Sequence, residues 1–306
     1  MCTYNGERFV TDQLQSLASQ TLTPSELVVA DDGSSDRTLD EVRKFAKQAP
    51  FPVRILEGAE RLGSSRNFER AILACQGSLV ALADQDDVWY PRKLQVQVER
   101  LEDNPRLGAV FSNADIVNQD LCRTGKLNVG ASDLGQWRVQ TPFACLLRYN
   151  LAQGATLVFR TELRPLVCPI PREWVHDAWI ALLISAVSAV ALLPEPLMAY
   201  RQHAQNQLGR SSLNPLRLRS KLGHAGAHAQ RQHVKFAQAL ARLSHDARVS
   251  KANVDELASK VEHLRRRAAL PQTVARRAGW VLKELLAGGY SRFGRGLWSA
   301  GRDLIG

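Results

Sequence analysis

Apolar and polar positions change period repeatedly over the first two hundred residues. Short apolar runs at Leu27–Ala30, Val53–Glu57, Leu79–Ala83, Leu107–Asn113 and Gly154–Arg160 read as strands. Between them, apolar residues recur at helical spacing: Leu39, Val42, Phe45 and Ala46, then Phe68, Ala71, Ile72 and Cys75, then Leu94, Val98 and Leu101. Ser35 is expected to cap the first of these helices, Gly77 to end the second and Pro91 to open the third. Strand and helix in alternation predict an α/β domain, a largely parallel, Rossmann-like sheet with helices on both faces. Residues 114–141 are polar and contain Gly125, Gly130 and Gly135, so they read as a loop or small insertion. Trp174–Ala186 reads as a helix with His176 and Asp177 at its start, followed by two short strands split by Pro194 and Pro196. The apolar run Ala178–Leu193 is short of a bilayer span, which favours a buried helix and strand.

Charge divides the chain. From Gly209 onward there are 19 Lys and Arg against 6 Asp and Glu, whereas the preceding part is slightly acidic. Two regions are therefore expected: residues 1–208, the α/β domain, and residues 209–306, a basic helical region. The tail ends in Tyr290, Phe293, Leu297, Trp298, Leu304 and Ile305 interleaved with Arg292, Arg295 and Arg302. Basic residues beside apolar ones suit an anionic membrane surface, with Phe293, Leu297, Trp298 and Ile305 dipping into its boundary. No nucleic-acid-binding module is visible, so nucleic acid is not an expected partner. The five cysteines are scattered, odd in number and lack a CxxC pair. That pattern points to a reduced, cytoplasmic setting without a disulfide framework or zinc site. No signal peptide is recognisable at the start.

The chemistry concentrates where strands end. "VVADDGSSD" runs from a strand into Asp31 and Asp32, and "VALADQDDVWYP" runs from another into Asp84, Asp86 and Asp87. Like charges this close repel one another and lose solvation, and a divalent cation relieves both effects. Sheets of this kind bind ligands at the carboxyl ends of their strands. Two acidic turns on one rim therefore suggest a cation and a polar ligand together.

The acidic turn resembles the D-x-D element of family 2 glycosyltransferases, which have the GT-A fold. "CTYNGERFVTDQLQSLASQTLTPSELVVADDGSSDRT" is similar to that family's opening strand, helix and nucleotide-binding strand. "HDAWIALLIS" and "PEPLMAYRQHAQN" resemble its acceptor-side segment, especially in the rhamnosyltransferase-like branch. The likeness covers roughly residues 2–210. It implies an inverting, metal-dependent transfer from a nucleoside-diphosphate sugar, dTDP- or UDP-linked, to a cell-surface glycan or lipid-linked acceptor. Rhamnose is the sugar suggested by the branch, and the inner face of a bacterial plasma membrane the expected location.

Carried onto this sequence, the resemblance makes Asp86 the ligand of Mg²⁺ or Mn²⁺, with Asp84 reaching the ribose or the ion. Asp87 either supports the site or caps the next helix. Asp32 is expected to accept from the imide N–H of uracil or thymine. Thr3 and Asn5 line the base and ribose pocket, and Glu7 is a further nucleotide contact. Asn67 lines the same pocket or caps its own helix, and Asp31 orients its turn. Asp177 is the expected general base, in a His-Asp pair where the family often has Glu-Asp. Arg201 and His203, in "YRQH", resemble the segment that closes over the diphosphate and metal.

The family's first strand carries several apolar residues before its "TYN"-like turn, whereas only Met1 and Cys2 precede Thr3. A shortened first strand is therefore expected, together with better solubility and activity from an extended chain. Two rival classes follow from the same residues. A nicotinamide-dependent dehydrogenase is disfavoured because no G-x-G-x-x-G follows the first strand. A non-catalytic or receiver-like signalling domain also places paired aspartates after a strand.

Overall fold

The structure, a computed structural model, describes residues 1–203, 225–271 and 273–305. The chain divides into two compact units: Met1–Pro142 with Leu151–Asn206, and Phe143–Asn150 with Gln207–Gly306. The expected boundary between residues 208 and 209 lies outside the described residues.

In the first unit, β1 (Cys2–Thr3), α1 (Val10–Ala18), β2 (Leu27–Asp31), α2 (Thr38–Ala46) and β3 (Val53–Leu56) build a parallel sheet in the order β1-β2-β3. β2 is fully buried, as a continuous apolar run in a parallel sheet should be. Val10, Leu14 and Leu17 of α1 meet Val29, Val42 and Phe45 in one core. Asp36, not Ser35, holds the start of α2: its Oδ1 accepts from the Thr38 backbone N–H at 3.0 Å. The Cys2 N–H donates to the Ala83 carbonyl at 3.1 Å, joining β1 to the chain that leaves β4.

The rest of this unit comprises α3 (Ser64–Ala74), β4 (Leu79–Ala81), β5 (Val88–Trp89), α4 (Lys93–Glu102), β6 (Leu107–Val117), β7 (Arg123–Leu127), α5 (Ala131–Val139), then β8 (Leu157–Arg160), α7 (Arg164–Val167), α8 (His176–Val187) and β9 (Ala189–Arg201). Between α5 and β8, α6 (Pro142–Arg148) leads into the second unit. The second sheet has the order β4-β8-β6-β9-β5, with β7 on β6. It is mixed, which corrects the expectation of a largely parallel sheet: β8 runs antiparallel to β4 and β6, β5 antiparallel to β9, and only β6 and β9 pair in parallel. Alternating period reveals strands but not their direction. The all-parallel order of a receiver domain is thereby excluded.

Two further expectations change. Residues 114–141 are not a loop: β6 continues to Val117, and β7 and α5 follow. Polar Asn113 tolerates a buried strand because its side chain donates to the Val129 carbonyl and accepts from the Val129 and Ala114 N–H groups. β9 is one strand rather than two. Its register against β6 shifts between Leu193 and Pro196, and β5 covers only Met198–Ala199 on the other side. The prolines thus fall where no second neighbouring strand needs their missing N–H.

Among the described residues, the second unit contains the Phe143–Arg148 part of α6 and the helices α9 (Ala225–Leu243), α10 (Lys251–Ala268), α11 (Val274–Leu286), α12 (Gly289–Phe293) and α13 (Leu297–Ile305). Val281, Tyr290 and Ala300 form a core flanked by Leu270, Trp280, Leu285 and Leu304. Within it Arg267 donates to both oxygens of Asp303, at 2.6 and 2.8 Å, and the Tyr290 hydroxyl donates to the same carboxylate at 2.8 Å. A buried pair satisfied this fully fixes how three helices meet.

Candidate active site

β1 and β2 end side by side, so the turns after Thr3 and Asp31 share one rim. Buried Asp31 organises that rim. It accepts from the Thr3 hydroxyl at 2.7 Å, from the Gly33 and Ser34 N–H groups at 3.1 and 2.8 Å, and from the Ser34 hydroxyl at 2.6 Å. Gly33 adopts φ +80°, open to glycine at no steric cost. Asn5 stitches the two turns together: its N–H donates to Ser34 Oγ and its Oδ1 accepts from the Ser35 N–H. Glu7 accepts from the Arg37 N–H at 3.0 Å. Asp32 anchors the entry to α3, accepting from the Leu62 and Gly63 N–H groups at 2.6 and 2.9 Å. Asn67 lies inside α3 rather than at its cap. Its Nδ2 donates to the Ala30 carbonyl at 2.7 Å, and its Oδ1 is buried without a hydrogen-bond partner.

The acidic turn is tied to the same rim by Gln85. Its Oε1 accepts from the Tyr4 N–H at 2.8 Å and its Nε2 donates to the Tyr4 carbonyl at 3.0 Å. A Cβ at Gly6 would come within 2.2 Å of that Oε1, so glycine there admits the contact. Asp84 follows directly on buried Ala83. Burial, then the charges of Asp86 and Asp177, push its pKa up to about 7. Asp87 accepts from the Arg201 backbone N–H at 3.0 Å, and burial followed by Asp86 and Asp84 holds it well above the usual carboxylate range. Asp86 lies 2.8 Å from Nε2 of His203, whose ring rests against Phe9.

Asp177 opens α8, nearly a hundred residues further along, yet it belongs to the same cluster. Its charge reaches Asp84, and the Tyr200 hydroxyl is raised by burial and then by Asp87, Asp84, Asp86 and Asp177 together. Asp32 is linked to this cluster through Cys2, whose thiol, raised chiefly by burial, feels both Asp84 and Asp32. Asp177 Oδ2 accepts from the Gly154 N–H at 3.1 Å, and its Oδ1 accepts from the Ala178 N–H. Its neighbour His176 is stacked on Phe68 at 3.8 Å, with both ring nitrogens buried and unpartnered. Burial drops the His176 pKa to about 3, so the ring is neutral at ordinary pH. Arg201 is buried, donating to Asp12 Oδ2 at 2.7 Å and to the Gln119 carbonyl at 2.9 Å, with its guanidinium 4.7 Å from the Phe9 ring. These contacts brace the end of β9.

The sequence-derived residues thus fall into two neighbouring groups. Thr3, Asn5, Glu7, Asp32 and Asn67 shape the first rim; Asp84, Asp86, Asp177 and His203 surround the second. Gln85, Gly154 and Tyr200 were not anticipated. Each acts through a partner distant in sequence, so no local spacing marks it. Among the described residues, no three His, Cys, Asp or Glu side chains form a ready cation cage. Asp86 and His203 offer one oxygen and one nitrogen, with Asp84 close by. That donor set fits a divalent ion that keeps positions open for phosphate oxygens.

A parallel three-stranded sheet joined to a mixed sheet, with an acidic turn after β4, makes an α/β fold of the GT-A class. Two solved structures share the fold. Staphylococcus aureus TarS 1-349, solved with UDP-GlcNAc, aligns over 99% of this chain and 88% of its own at a TM-score of 0.62 and 14% identity. The mannosyltransferase PcManGT from Pyrobaculum calidifontis, solved with GDP-Man and Mn²⁺, aligns over 99% of this chain and 83% of its own, with a TM-score of 0.54 and 18% identity. Residues 1–126 match the model of Glycosyl transferase family 2. An uncharacterized protein of Mycobacterium tuberculosis is 30% identical over 208 residues, 66% of this chain. The chain spans only 57% of that relative's length. The dTDP-rhamnosyl transferase RfbG of Shigella flexneri is 25% identical over 221 residues, 68% of this chain and 73% of its own.

Proposed function

We propose that this protein is an inverting glycosyltransferase, moving a sugar from a dTDP- or UDP-linked donor to a cell-surface glycan or lipid-linked acceptor. The observation that carries the reading is the Asp86–His203 contact at 2.8 Å together with Asp177, held by the Gly154 N–H at 3.1 Å and near enough for its charge to act on Asp84. Asp177 takes the proton of an acceptor hydroxyl while that oxygen attacks the anomeric carbon; the bond from that carbon to the phosphate oxygen breaks, and nucleoside diphosphate leaves. The Gly154 N–H aims the carboxylate, and neutral His176 beside it adds no competing cation. Asp86 and His203 would hold Mg²⁺ or Mn²⁺, which when bound stabilises the negative charge on the departing diphosphate. Thr3, Asn5, Glu7, Asp32 and Asn67 shape the nucleoside side, and Asp84 reaches the ribose or the ion. Arg201 supports the cluster by holding Asp87 and the end of β9. The likeness to RfbG favours rhamnose among donor sugars. The reading includes work at the inner face of a bacterial plasma membrane; no helix among the described residues is long and apolar enough to cross one.

The test is transfer and donor binding measured across dTDP- and UDP-sugars with Mn²⁺. Asp177→Asn is expected to lower turnover by about 10²–10⁴-fold, the usual contribution of a general base, while leaving donor affinity intact. Asp86→Ala is expected to weaken donor binding in the presence of Mn²⁺. A fully active Asp177→Asn protein would remove the base assignment.

A further inference from the structure

The C-terminal unit carries an apolar surface that its own core does not use. On α13, Ala300 and Leu304 pack inward and Asp303 is buried. Beside this inward stripe, Leu297 is 79%, Trp298 54% and Ile305 72% exposed. At 100° per residue, these three fall within one arc of the helix. α11 repeats the arrangement: Val281 and Leu285 face the core, while Leu282 and Leu286 are 58% and 82% exposed and one turn apart. This differs from the sequence expectation in a decisive way. Phe293, expected on the lipid-facing side, is buried together with Tyr290, and Leu282 and Leu286 join the exposed set.

Charge indicates the occupant. Arg276, Lys283, Arg292 and Arg295 are exposed on the same two helices and the segment between them. The Arg295 and Arg302 guanidiniums lie 5.5 and 5.4 Å from the Trp298 ring. An indole flanked by two guanidiniums offers an apolar body with cationic arms, the chemistry that suits the headgroup level of a bilayer. A second copy of this surface would instead set its own cations against each other. From residue 209 onward the chain carries a surplus of 13 basic over acidic residues.

We infer that the outward faces of α13 and α11 dock on an anionic lipid surface, inserting Leu297, Trp298 and Ile305 while Arg295, Arg302 and Lys283 meet headgroup phosphates. The inference is independent of the enzymatic reading, since it uses no residue of the candidate active site.

Co-sedimentation of the full chain with vesicles of phosphatidylglycerol and phosphatidylcholine in equal parts, against vesicles of phosphatidylcholine alone, tests it at low salt. Binding to the anionic vesicles only is expected, with release near 1 M salt, where screening falls to about 3 Å. Trp298→Ala with Ile305→Ser is expected to weaken binding about tenfold or more, given the apolar area withdrawn. Lys283→Gln with Arg295→Gln changes only exposed side chains and is expected to weaken it without altering the circular dichroism spectrum. Equal binding to both vesicle types, no binding to either, or undiminished binding by both double variants would overturn the inference. Lipid-free self-association abolished by Trp298→Ala and Ile305→Ser would likewise overturn it, marking the face as a contact between copies.

Discussion

Gly154 performs two tasks with the least side chain available. Its N–H holds Asp177, and its missing Cβ leaves room for the His176 ring, whose Nε2 would otherwise lie 2.6 Å away. The His176 ring is held by stacking on Phe68, which limits how far it can yield. Gly154→Ala is therefore expected to cost about 1–3 kcal/mol by overpacking. It should also lower turnover up to about 10²-fold by tilting the carboxylate, while nucleotide affinity stays unchanged. Urea denaturation and separate measurement of turnover and nucleotide binding check both parts; unchanged turnover would mean that Asp177 does not depend on this contact. The site was only partly readable at this scale. Asp84, Asp86 and Asp87 announce themselves because three carboxylates at a strand end need a physical reason. Gly154 and Gln85 do not, since their meaning comes from atoms brought near by the fold.

The helices and strands were more readable than their joints. Amphipathic spacing located α2, α3, α4 and the C-terminal helices, because burying an apolar stripe is what makes such segments helical. Where polar residues are satisfied by long-range partners, the pattern misled: Asn113 looked like the end of a strand and is the middle of β6. Buried cations are equally invisible to periodicity. Lys260 on α10 donates to the Leu147 carbonyl, lies over Phe236 at 3.8 Å, and is lowered by burial, then by Arg267, from 10.5 to about 7. Between pH 7 and 10.5 the unfolded chain therefore binds more protons at this position than the folded one, so stability should rise with pH across that window. The slope approaches about 1.4 kcal/mol per pH unit for one such group. Lys93 on α4 is lowered to about 7 by its own burial and adds a similar slope. Lys260→Met should remove the Lys260 share and leave that of Lys93. Denaturation of both proteins from pH 7 to 10 decides the matter, and parallel stability curves would refute the assignment.

Across the whole molecule, charge is arranged against the ligand it is proposed to receive. The acidic cluster lies where a nucleoside diphosphate, itself anionic, would sit, while the basic surplus belongs to the region after residue 209. Carboxylates at the phosphate end repel the nucleotide unless a cation intervenes, whereas an ion alone gains from Asp86 and His203 but lacks the phosphate oxygens. Nucleotide and metal should therefore bind with positive coupling, each strengthening the other by the same factor. UDP or dTDP alone, and Mn²⁺ alone, are expected to raise the melting temperature little. Together, at about a hundred times their joint dissociation constant, they should add about 2.7 kcal/mol, several degrees for a chain of this size. Asp86→Ala should abolish the combined effect while leaving the small shift from nucleotide alone, since Asn5, Asp32 and Asn67 are untouched. A nucleotide shift of equal size with and without Mn²⁺ would show that the acidic turn does not hold a cation against the diphosphate.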